Sequence, residues 1–251
     1  MPAVATLEGF EQAVRDADAS AVDLVVDPEA SAAARRSLEE SGLLLLGEVH
    51  GAAENPRVIR AVLETFGIGT LGLEWHHELG PVVDAAIAGR PLPEHPSIWS
   101  GDGRVTAGHV ALLRQVRPRV VLFDGTWDAD DTWSQRDAGM AERLLAALPE
   151  PRQPCLAVAG NYHTRTRQLP IGVPMGRHLA RSRPGVREVR IAYGGGAHFN
   201  MTPSTFRTDR GDRTGPALLR ARRGHLELRL PWATEAVVPQ RPFEPDVMIG
   251  R

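Results

Sequence analysis

The stretch Leu43–Gly51, LLLLGEVHG, constrains this chain more than any other. Four consecutive leucines show no polar alternation, the pattern of a strand buried on both faces. The run breaks at Gly47 into Glu48, Val49 and His50, so two side chains able to move protons stand just past the strand. In open α/β sheets the ligand crevice lies outside that carboxyl end. Asn55 and Pro56 follow as an N-cap and first-turn pair opening a helix.

Strands and helices then alternate. Helices are expected over 7–17 and 28–41, the second between Pro28 and Gly42, and a third over 56–66. A second strand, Leu71–Glu74, delivers Trp75, His76 and His77, and a helix follows to Ala88. Residues 90–105 form a long Pro- and Gly-rich loop with Trp99 and Asp102, and Thr106 caps a helix over 107–116. Arg119–Phe123 is a third strand ending in Asp124. Thr132 and Gln135 have capping-box spacing for a helix to Ala147, which carries Arg136. Cys155–Ala159 is a fourth strand, followed by Gly160-Asn161-Tyr162-His163. A helix over 174–181 and a strand over 186–192 complete a recognisable core at 43–192. Residues 193–251 read as a C-terminal extension: a lid or surface loop with His198, Asn200 and Arg207, then an edge strand, Leu226–Leu230, alternating with charges. The alternation predicts a single α/β domain over 1–251, a three-layer sandwich with a largely parallel central sheet.

Composition removes several alternatives. All basic side chains other than histidine are arginine, which excludes a lysine base or Schiff base. The single cysteine, Cys155, precludes an internal disulfide and suits a small buried hydrophobe. Arg183–Arg190 and Arg207–Arg223 are locally basic but interrupted by Glu188, Asp209 and Asp212, and the formal net charge is -2, so no nucleic acid or anionic membrane is expected as partner. The first residues lack the basic flank and apolar core of a signal peptide, and the expected location is cytoplasmic.

Four strand ends carry polar groups: Glu48 with His50; Glu74 with His76 and His77; Asp124 with Asp128; and His163. In a parallel sheet they share one edge and can meet. Of the adjacent histidines only one can face the site, and His76 is preferred. Trp75, Trp99 and Trp127 are read as core, and His95, His109, His178 and His225 as structural or exposed.

The order GEVHG, LGLEW, a Trp-containing loop, RDAGMAERLL, and LAVAGNYH followed by Gly172-Val173-Pro174 resembles the superfamily of erythromycin esterases, haem-binding ChaN proteins and Tiki/TraB metallopeptidase-like proteins, with the pattern most similar to the ChaN-like branch. The resemblance implies an α/β fold with its site at the strand ends, and a functional set of Glu48, His50, Glu74, Arg136 and His163. On cofactors its branches differ: the Tiki-like branch implies a divalent transition metal (Zn, Mn, Co or Fe), for which Glu48, His50, Glu74 and His163, with His76 as a further candidate, are a normal ligand set; the erythromycin esterase branch implies none; and the ChaN-like branch implies haem.

The residue types point to acid–base chemistry. A histidine oriented by a carboxylate can take a proton from water, and Arg136 can stabilise charge developing on a carbonyl or phosphoryl oxygen. There is no G-x-S-x-G elbow, so direct attack by water is expected over an acyl-enzyme. The expected function is hydrolysis of an ester, lactone or amide in a small molecule or peptide, metal-assisted or not. Haem or metal binding without turnover, and an elimination or cyclisation on the same site, are the alternatives.

Overall fold

The computed structural model describes residues 3–126, 130–148, 153–206 and 214–241; Trp127, Asp128, Arg207, Asp209 and Asp212 lie outside them. In chain order the elements are β1 (Ala3–Val4), α1 (Leu7–Asp16), β2 (Leu24–Val26), α2 (Pro28–Ser41), β3 (Leu43–Glu48), α3 (Asn55–Phe66), β4 (Thr70–His76) and α4 (Gly80–Ile87). Then come α5 (Ala107–Val116), β5 (Arg119–Asp124), α6 (Trp133–Ala147), β6 (Cys155–Gly160), α7 (Met175–Ser182) and β7 (Arg187–Tyr193). The chain continues through β8 (Ala197–Asn200), β9 (Thr202–Thr205), β10 (Ala217–Arg222), β11 (His225–Leu230) and β12 (Val238–Pro239).

Eight strands form one sheet in the order β2-β10-β11-β7-β3-β6-β4-β5, parallel except where β10 runs against β11. All six residues of β3 are buried, as the leucine run requires. Leu44 and Leu46 pack on the side of α1–α5, and Leu43 and Leu45 on the side of α6 and α7. The result is a three-layer α/β sandwich. Pairing of Leu43 with Cys155 through Glu48 with Gly160 aligns the ends of β3 and β6, and β4 and β5 continue that edge. Among the described residues no helix is long and apolar enough to cross a membrane.

Three expectations need correction. Leu226–Leu230 is not an edge strand: β11 lies between β10 and β7, and the edges are β2 and β5. Its alternation arises because Leu226, Leu228 and Leu230 pack into the α1–α5 core while the opposite face of that half-sheet carries charge. Asn55 is not a cap. It is fully buried, its amide donates to the Val49 carbonyl at 2.8 Å, and its oxygen accepts from Tyr193 Oη at 2.6 Å, so it pins the turn after β3. None of the described residues of 193–251 lines the main cavity. The extension instead grips the turn after β3 from outside, where Gly51 accepts from the Phe199 and Ala236 amides. His198 stacks near Phe206. The helix expected over 78–88 is split into a 3-10 turn at His77–Leu79 and α4, with Pro81 in its first turn.

Candidate active site

The candidate side chains converge because β3, β6, β4 and β5 are neighbours. His50 Nδ1 lies 3.2 Å from Glu48 Oε1, and its Nε2 lies 3.8 Å from Glu74 Oε2. His163 repeats the arrangement: Nδ1 is 2.8 Å from Asp137 Oδ1 and Nε2 is 3.6 Å from Glu74 Oε1. Glu74 therefore stands between two imidazoles, each oriented from behind by a buried carboxylate. The Gly160 amide donates to Glu74 Oε2 at 2.8 Å, and a Cβ at Gly160 would come within 3.0 Å of His50 Nε2. A Cβ at Gly47 would likewise meet Thr164 Oγ1 at 2.5 Å. Gly47 and Gly160, each three residues before a site histidine, thus permit the close approach of the two strand-end turns.

Two arginines cross this array. Arg136, in the first turn of α6, donates from Nη2 to Glu74 Oε1 at 3.0 Å and to Asp124 Oδ2 at 2.7 Å. Its Nη1 faces His163 Nε2 at 3.4 Å. A guanidinium can only donate, so in the neutral ring Nε2 accepts and the proton sits on Nδ1, toward Asp137. Arg104 comes from the long loop and donates to Asp124 Oδ2 and to Asp102 Oδ2, each at 2.7 Å. With Trp75, Leu79 and Val105 these groups wall a cavity of about 590 Å³.

The array determines where charge resides. Burial works against charge on Glu74, but the positive charge available from His163, His50, Arg104 and Arg136 outweighs it and holds the pKa at about 2. Burial also opposes charge on Glu48, and the facing imidazoles of His109 and His50 still bring it below its ordinary value. Burial alone would lower His50; its bond to Glu48 and the charge of Glu74 raise it above the ordinary histidine value.

All five residues of the expected functional set meet here. His76 lines the same cavity, but its Nδ1 accepts from the Glu78 amide at 3.3 Å and its ring stacks on His77. Trp75 and Trp99 are buried as expected, although Trp75 also walls the cavity and its Nε1 donates to the Arg104 carbonyl at 2.9 Å. Cys155 is fully buried, and burial pushes its thiol up to about 12.

Three participants escaped the sequence. Arg104 lies in a loop without periodicity. Asp137 directly follows Arg136, and one helical step separates the group facing Glu74 from the group behind His163. His109 is buried as a structural histidine would be, yet its Nε2 is 3.8 Å from Glu48 Oε2, an oxygen without a hydrogen-bond partner. Its Nδ1 is 2.9 Å from Oγ1 of Thr106, the residue that caps α5. The Thr106–His109 spacing was the available signal.

The donor set fits a metal ion poorly. Asp124 already accepts from both guanidiniums and Glu74 from Arg136, with Arg104 3.6 Å from Glu74, and Arg136 points at His163 Nε2, so a dication would sit against two fixed positive charges. Among the described residues no group of three or more His, Cys, Asp or Glu has a geometry that could hold one. Haem fares no better with tyrosine as ligand: Tyr162 is 64% exposed and outside the cavity wall, and the Tyr193 hydroxyl is committed to Asn55 and the Val49 amide.

No family model and no curated protein matches the chain. Among solved structures, the crystal structure of a protein from Bacillus cereus matches with a TM-score of 0.59 at 10% identity, over 92% of this chain and 99% of that one. The likeness is one of fold.

Proposed function

We propose that this protein is a metal-independent hydrolase that uses His50 as general base to cleave an ester, lactone or amide bond. The observation that carries this reading is the placement of Glu74 between His50 Nε2 and His163 Nε2, with Glu48 and Asp137 behind the two rings. His50 Nδ1 donates to Glu48, leaving Nε2 to take a proton from water as the water oxygen attacks the carbonyl carbon. Glu74 stabilises the imidazolium that forms. Negative charge moves to the carbonyl oxygen, where the Arg104 and Arg136 charges on the cavity wall oppose it. Collapse breaks the bond to the leaving group, and His50 returns its proton there. General-base help of this kind contributes on the order of 10² to 10⁴ in rate.

The test is a panel of p-nitrophenyl esters, lactones and anilides assayed with wild type and with His50→Gln, with products weighed by mass spectrometry. Turnover with gain of one water, lost in His50→Gln while the thermal midpoint is kept, is the expected result. A product of unchanged mass, as in elimination or cyclisation without water, or turnover that survives His50→Gln, would sink the proposal.

A further inference from the structure

Among the described residues, the central sheet is helix-covered on both faces over only part of its width. The apolar layer under α6 and α7 is built from β3, β5 and β6, whereas the matching face of β7, β11 and β10 carries charge among the described residues. Register sets Arg190 beside Glu227, and Glu227 beside Arg220; one row on, Arg222 stands beside His225. Arg165 and Arg167, in the loop leaving β6, close the cluster beside Glu188.

Positive charge is in excess there. Glu188, itself fully buried, accepts from Arg190 Nε at 2.6 Å and from the Thr166 amide, and lies 3.8 Å from Arg165. Glu227 accepts from Arg222 Nη2 at 2.8 Å. Glu188 thus already serves two arginines, and Glu227 is engaged by Arg222. Arg165 Nη1 is shut away from water with no hydrogen-bond partner among the described residues. Burial lowers Arg165, and the charge of Arg167 lowers it further; burial lowers His225, with Arg165 and Arg222 adding to the shift.

The chemistry of the face selects its occupant. Among the described residues its uncharged neighbours on the sheet are Ala192, Leu218 and the half-exposed Val25, with one exposed ring, Tyr162, near Arg165, so there is no continuous aromatic platform for stacking bases and little apolar anchor for a protein partner. Strands about 4.8 Å apart bring Arg190 and Arg220 within roughly 10 Å of each other across β11, a span suited to a few linked phosphates. We propose that this face binds a soluble polyphosphate group, two or three phosphates long, through Arg165, Arg167, Arg190, Arg220 and Arg222, whose planar forks match phosphate oxygens.

Calorimetric titration of the full chain with inorganic tripolyphosphate at physiological ionic strength tests this, with orthophosphate and a short single-stranded RNA as comparators. One tripolyphosphate per chain is expected, with orthophosphate at least about tenfold weaker. Arg167→Ser with Arg220→Ser, both exposed, should weaken binding about tenfold while the thermal midpoint is kept, and Glu227→Gln should tighten it several-fold by removing a competing carboxylate. No binding at this ionic strength, RNA bound more tightly than tripolyphosphate, or affinity indifferent to these substitutions would overturn the assignment.

Discussion

Glu74 concentrates the energetics of the site in one side chain. It is 4% exposed, and its pKa of about 2 lies below the ordinary 4.5. A carboxylate lowered in the folded state adds stability above the unfolded value, and that stability is lost as pH falls through the folded value. The window is therefore about pH 4.5 down to 2, and the shift corresponds to on the order of 3 kcal/mol. Urea unfolding at stepped pH should show wild type losing stability across this window and Glu74→Gln, less stable at neutral pH, losing clearly less. Equal acid losses in the two proteins would contradict the assignment. His109 offers a second test. Its tautomer with Nε2–H toward Glu48 requires Nδ1 to accept from the Thr106 hydroxyl, and the 2.9 Å separation allows it. His109→Leu removes the imidazole that faces this buried carboxylate oxygen at 3.8 Å, expected to cost about 1–3 kcal/mol. It should also depress the ester rate, and His109→Gln, which retains a donor, should recover much of both. A rate unchanged in His109→Leu would remove His109 from the positioning machinery.

At the scale of elements, what was legible depended on how strongly a segment is marked. The leucine run, the Pro28 to Gly42 helix and the Thr132/Gln135 capping box carry local signals strong enough to fix them, and the box is present with both its bonds. β2 has three residues, and β10 reads as charges interleaved with small apolar groups, so neither announces itself without its sheet partner. The error over β11 has the same source, because a strand beside a helix-free face alternates as an edge strand does. The capping box matters to function because Arg136 and Asp137 directly follow it at the start of α6. Thr132→Ala should lower stability by about 1 kcal/mol and reduce the ester rate, with Thr132→Ser restoring both. A stability loss with an unchanged rate would show that the first turn keeps its place without its cap.

Across the whole molecule, the site is a product of topology. Glu48, Glu74, Asp124 and His163 are scattered over more than a hundred positions, and only the strand order β3-β6-β4-β5 makes them neighbours. That convergence was readable from strand ends, since a parallel sheet sends them to one edge. Arg104 and Asp102 were not, because a loop's path is decided by tertiary contacts, such as the Trp75 bond to the Arg104 carbonyl and the Gly51 bond to the Gly103 carbonyl. The same contacts decide the state of His50, which faces Glu48, Glu74, Asp102 and Arg104 from three separate segments. Its titration therefore reports on the assembled site without any substrate. Long-range ¹⁵N–¹H NMR of the histidine rings across pH, in wild type and Glu74→Gln, is the most direct measurement. His50 is expected to carry its proton on Nδ1 when neutral, to titrate above 6.5, and to move down when Glu74 loses its charge. A His50 that titrates at or below 6.5 and ignores Glu74→Gln would contradict it.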